Sequence, residues 1–156
     1  MGCTSVAPIQ IEANASKALE IHNQKRACHG SPALHINEEL NKLAQEYAEQ
    51  LAKKQESIKN NLYNHEFLGE NIYIYKGKDF SAENMCNAWY EEIKKFDKSS
   101  LQYQKNTSHF TQMIWKGSKE VGFGFKNRGK NYYGVAFYYP PGNTLGEYKD
   151  NIVFSS

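Results

Sequence analysis

The chain has 156 residues, nineteen of them basic and seventeen acidic, for a net charge of +2. That length fits one domain, and 40% apolar with 23% charged residues is the balance of an ordinary globular fold. No basic cluster exceeds a pair such as Lys53-Lys54 or Lys94-Lys95, no apolar run approaches the ~20 residues that span a bilayer, and three cysteines cannot build a dense disulfide framework. A charge-driven nucleic-acid binder, a helical membrane protein and a disulfide-stapled scaffold are thereby excluded.

Residues 1–12 lack periodicity and read as an amino-terminal arm, with residues 13–156 as a single domain. The opening Met1-Gly2-Cys3-Thr4-Ser5-Val6 has no basic start followed by an apolar stretch, so no secretory leader is expected. Gly2 is a candidate for myristoylation and Cys3 for palmitoylation, although Val6 stands where the usual pattern wants Ser or Thr. Two acyl chains anchor a protein far better than one. Asn14-Ala15-Ser16 and Asn106-Thr107-Ser108 are formal glycosylation triplets in an Asn-rich chain and do not argue for secretion.

A helix is expected from about Asn14 to His29, with Ala15, Ala18, Leu19 and His22 on one stripe and Gly30 and Pro32 stopping it. The clearest helix follows, capped by Asn37. Its buried face is Leu40, Leu43, Ala44, Tyr47, Ala48, Leu51 and Ala52, with Gln and lysines in the last turn. Ser57 to Asn64 reads as an irregular loop and Ile72 to Tyr75 as a short strand. Ser81 caps a third helix running to about Phe96, with the stripe Met85, Trp89, Ile93 and Phe96. Thr107 or Ser108 starts a short fourth helix that Gly117 ends.

Val121, Phe123 and Phe125 alternate with Gly122, Gly124 and Lys126, and a turn at 127–130 leads to Tyr132–Tyr139. That pair is an antiparallel hairpin whose second strand is apolar on both faces and therefore needs cover on both. Gly122 and Gly124 mark close packing or a bulge. The fold class is α+β in three layers, a small, largely antiparallel sheet between helices. Cys28 and Cys86 fall in helices and read as small buried hydrophobes.

Glu92 is the anomaly. It lies three residues after Trp89, on the apolar stripe, where a carboxylate needs a partner from elsewhere in the fold. His109 sits in the first turn of the short helix, where the dipole disfavours its imidazolium and leaves a neutral ring suited to a metal or to base catalysis. His65 and Glu70 flank the segment before the strand. Imidazole and carboxylate together suit Zn²⁺ or a similar divalent ion, yet spacing alone does not select these four. His22, His29 and His35 read as surface or satisfied core residues. Signatures of zinc-helix proteases, nucleophile elbows and phosphate loops are absent.

The run His109-Phe110-Thr111-Gln112-Met113-Ile114-Trp115-Lys116-Gly117-Ser118 closely resembles a signature of the CAP superfamily, which comprises cysteine-rich secretory, antigen 5 and pathogenesis-related 1 proteins. Tyr138-Tyr139-Pro140-Pro141-Gly142-Asn143 fits its second signature, Gly69-Glu70-Asn71-Ile72 its Gly-Glu-Asn segment, and Trp89-Tyr90-Glu91-Glu92 its Trp-x-x-Glu. All four stand in family order, across roughly residues 13–145. The resemblance implies an α-β-α sandwich and a cleft tetrad of His65, Glu70, Glu92 and His109. It also implies a divalent metal, Zn²⁺ by ligand type, on His65 and His109.

Secreted members carry a cysteine in the second signature where this chain has Ala136. The chain therefore resembles the cytosolic, Golgi-associated branch more than the secreted one, which is the alternative location. The expected role is a non-enzymatic binding module, membrane-associated and lipid- or sterol-binding, with a homodimer as a further expectation. The alternative is a metal-dependent hydrolase or protease with Glu70 or Glu92 as base.

Overall fold

The computed structural model describes residues 7–54 and 60–154. Gly2 and Cys3, the expected acylation positions, lie outside the described residues.

Helix α1 (Ile11–Cys28) begins three residues before the expected Asn14. Asn14 does not start it because its side chain is committed elsewhere: its amide donates to Gln10 O at 2.7 Å and its oxygen accepts from Ala82 N at 2.9 Å. A two-residue strand β1 (His35–Ile36) follows, and then α2 (Glu38–Ala52). Asn37 caps α2 as expected, accepting from Glu39 N and Leu40 N. The helix stops at Ala52. Lys53 is thus its C-cap and no basic residue occupies the last turn, contrary to expectation.

The loop expected before the first strand contains a hairpin, β2 (Leu62–Tyr63) with β3 (Glu66–Phe67). Its turn is Asn64 and His65, with φ of +51° and +63°. Two left-handed central residues give the twist a two-residue hairpin needs, but Asn-His lacks the glycine that usually announces it. Strand β4 (Gly69–Lys76) extends the expected quartet on both sides.

Ser81 caps α3 (Ala82–Tyr90), accepting from Asn84 N at 3.0 Å. The expected single helix to Phe96 instead tightens into a 3₁₀ turn over Glu91–Lys95. Helix α4 (Ser108–Ile114) ends before Gly117, and Thr107 turns its hydroxyl to Gln104 O at 2.6 Å rather than capping it. Strands β5 (Glu120–Arg128) and β6 (Asn131–Tyr139) form the expected hairpin, and a four-residue α5 (Tyr148–Asn151) closes the described chain.

The strand order is β1-β5-β6-β4, with β1 parallel to β5 and the other pairs antiparallel. Helix α2 covers one face through Leu40, Leu43, Ala44 and Ala48 against Val135 and Phe137. Helices α1, α3 and α4 cover the other, against Phe123, Phe125 and Tyr138. The fold is α+β, an α-β-α sandwich, and β6 is covered on both faces as its composition requires.

Gly122 and Gly124 face α2, and a Cβ at either would collide with the helix backbone at Leu40–Asn41 or Ala44–Gln45. Bringing α2 this close has a second effect. Among the described residues, no strand pairs the outer edge of β5 beyond the short β1. Asn41 Oδ1 accepts from Phe123 N at 2.8 Å, and Gln45 accepts from Phe125 N at 2.9 Å while donating to Phe125 O at 2.8 Å. Two side chains one helical turn apart thus stand in for the missing strand.

Arg26 is fully buried, yet all its bonds run to backbone carbonyls: Pro32 O, Met113 O, Trp115 O and Ser118 O, at 2.8–3.1 Å. Burial pulls its guanidinium down to about 10, which leaves it charged at neutral pH. It fixes the exit of α4. Cys86 is buried as expected, and burial pushes its thiol up to about 12. Cys28 is exposed, because it falls on the outer side of the last turn of α1.

Candidate functional site

The 3₁₀ turn after α3 aims Glu92 at the start of α4. Glu92 Oε2 lies 2.8 Å from His109 Nδ1, and Oε1 accepts from Phe110 N at 3.0 Å. The partner that an acid on an apolar stripe requires does come from another segment, and both carboxylate oxygens are engaged. The imidazole lies parallel to the Trp89 indole, with an interplanar angle of 7° and centroids 6.0 Å apart. Trp89 Nε1 is buried and has no hydrogen-bond partner among the described residues.

The backbone of His109 is held from below. Asn71 Nδ2 donates to His109 O at 3.1 Å and to Tyr138 Oη at 3.3 Å. The Tyr138 hydroxyl lies 2.6 Å from His22 Nε2, and His22 Nδ1 lies 2.8 Å from Ala18 O. A carbonyl can only accept, so His22 carries its proton on Nδ1 and accepts from Tyr138 through Nε2. Burial pulls this imidazole down to about 4, keeping it neutral. The thread runs from α1 through β6 and β4 to the site. His29 is likewise a satisfied interior histidine, between Val153 O and Tyr90 Oη, and His35 is exposed, as read from the sequence.

A cavity of about 470 Å³ opens beside the pair, lined among others by Glu92, Lys95, Tyr103, Lys105, Ser108 and His109. His65 and Glu70 do not line it with them. His65 is exposed in the β2–β3 turn, and Glu70 is half-buried in β4, paired with Phe137. Among the described residues no group of three or more His, Cys, Asp or Glu side chains is placed to hold a metal ion. The structure therefore joins Glu92 directly to His109. Sequence reasoning missed Lys95 and Lys105 as wall residues, since exposed lysines carry no periodic signal. It also missed Asn71 and Tyr138 as supports, although both lie within the quoted motifs.

Among the described residues no helix is long and apolar enough to cross a membrane. In fold, the chain is similar to the crystal structure of NaASP2 with Zn²⁺, with a TM-score of 0.73 and 22% identity, covering 99% of this chain and 90% of that one. In sequence, it is 30% identical over 141 residues to the Golgi-associated plant pathogenesis-related protein 1 of Homo sapiens, covering 88% of this chain and 91% of the human protein. It is 34% identical over 135 residues to Protein PRY2 of Saccharomyces cerevisiae, covering 85% of this chain but 39% of the yeast protein. The pattern of the cysteine-rich secretory protein family (CAP) matches residues 19–139. With the sandwich, the paired signatures and that match in agreement, the chain belongs to the CAP family.

Proposed function

We propose that this chain is a non-enzymatic binding module whose ligand enters the cavity beside Glu92 and His109. The observation that carries this reading is the engagement of Glu92. One oxygen orients His109 through Nδ1 and the other holds the Phe110 amide, so neither is left as a free base. A carboxylate on one ring nitrogen is the usual support of a histidine that ligates metal through the other. The donor set fits an open site, not a closed structural one, because structural zinc wants four protein ligands. His109 Nε2 and His65 would hold a divalent ion, Zn²⁺ by ligand type, with other positions left to water or ligand. Bound there, the ion would supply Lewis acidity; the chain's own residues orient His109 and shape the cavity.

Lys95 and Lys105 on the wall favour a negatively charged ligand, such as the phosphate of a lipid headgroup. A human relative is named for the Golgi. We carry to this chain a place on the cytosolic face of such membranes, with acylation of Gly2 and Cys3 as anchor. Titrating Zn²⁺ calorimetrically into wild type and into His65→Ala with His109→Ala tests the metal. Loss of the heat in the double variant is expected, and equal affinities end that part of the reading. Flotation with phosphatidylserine vesicles tests the lipid, with binding expected to fall in Lys95→Ala with Lys105→Ala. Metal-dependent cleavage of a peptide panel, lost in Glu70→Gln, would replace the binding reading with the hydrolase.

A further inference from the structure

Strand β4 is the other edge of the sheet. Gly77 N donates to Lys130 O in register with the β4–β6 ladder, so odd-numbered residues of β4 bond β6 and even-numbered ones turn their amides and carbonyls outward. Among the described residues, nothing bonds the outward amides of Ile72, Ile74 and Lys76. Ile74 is 64% exposed. Between Glu70 and Lys76 the strand reads Asn-Ile-Tyr-Ile-Tyr, without the proline, bulge or charge that natural edges use to refuse a partner.

We propose that this edge pairs with the same edge of a second copy, antiparallel, about a two-fold axis at Tyr73. In that register Ile72 faces Ile74 of the second copy and Ile74 faces its Ile72. Glu70 faces its Lys76 at both ends, so the only charges on the outward positions meet opposite charges. Every outward-facing residue then opposes another outward-facing one, and all the ladder bonds form. A one-residue slip would set outward amides against inward ones. A two-residue slip would leave a lysine or a glutamate against isoleucine. The interface is isologous and merges two four-stranded sheets into one. A lone strand pair is small for an interface, so the dimer dissociates on the order of 10–100 µM.

Sedimentation equilibrium of the full chain from about 5 to 500 µM reads the association. Wild type is expected to shift from monomer to dimer, and Ile74→Pro to weaken that at least tenfold. The proline removes an outward amide only, and the thermal melt checks its fold. Lys76→Glu, which sets Glu against Glu70 of the second copy, gives a second and milder loss. Register is read by oxidising, with copper–phenanthroline, variants lacking Cys3 and Cys28. A mixture of Ile72→Cys and Ile74→Cys chains is expected to cross-link, because directly opposed hydrogen-bonded residues sit about 5.5 Å apart at Cα. Neither variant alone should do so. Wild type monomeric throughout, both surface variants dimerising like wild type, or equal cross-linking in the single-variant samples would each overturn the proposal.

Discussion

The two edges of the sheet are treated in opposite ways. At β5, where the strand partner runs out after Ile36, α2 lies so close that Asn41 and Gln45 bond the bare backbone at Phe123 and Phe125. At β4, among the described residues, no element does this for Ile72 or Ile74. The difference comes from composition. Alternate glycines at 122 and 124 let a helix approach one edge, whereas alternate isoleucines and tyrosines hold any helix at side-chain distance from the other. A guarded edge fixes the fold, and an unguarded one is available to a partner.

Substituting Gly124 breaks the guarded edge most severely. Gly124→Leu drives α2 off the sheet and should cost at least about 3 kcal/mol in a denaturant titration, with loss of the Asn41 and Gln45 bonds. The polar thread between the two halves is sensitive to acid. A His22 pulled from its usual range down to about 4 binds fewer protons folded than unfolded. Its stabilisation is therefore complete above about pH 6.5 and falls away as pH drops through 4, by about 3 kcal/mol in all. Protonation at Nε2 would turn that nitrogen from acceptor to donor and take from the Tyr138 hydroxyl the acceptor it uses. Denaturant midpoints at pH 7, 5.5 and 4 follow this, and in His22→Gln the slope over that window should flatten.

A smaller effect is expected at the clamp itself. Gln45→Ala leaves Phe125 without its partners and should cost about 1–2 kcal/mol, with faster amide exchange at Phe125. The smallest belongs to the open edge. Ile74→Pro should change the stability of the monomer by under about 0.5 kcal/mol, since the amide it removes bonds nothing among the described residues.

How much of this was legible in the sequence follows from how local each signal is. The face of α2, the Asn37 cap and the β5–β6 hairpin repeat with a short period or sit at a fixed offset, so they could be read directly. So could the need of Glu92 for a distant partner, because burying a carboxylate is costly whatever surrounds it. The identity of that partner was legible only through resemblance. The break of α3 at Tyr90 was not legible, since nothing in Glu91–Lys95 forbids α-helix; the pull of the Glu92 contacts with α4 accompanies the tighter turn. The β2–β3 hairpin escaped because its left-handed residues are Asn and His rather than glycine.

Arg26 carries a consequence for the order in which the molecule assembles. Its guanidinium joins carbonyls 6 to 92 positions away along the chain, so the clasp cannot close until the first helix has met the segment that leaves α4. Closing so long a loop is slow, and a charge stripped of water before all its acceptors arrive is unfavourable. The clasp is therefore a late event in folding. A nascent polypeptide interrupted before residue 118 would hold a stranded cation where the finished protein has its most tightly tied joint.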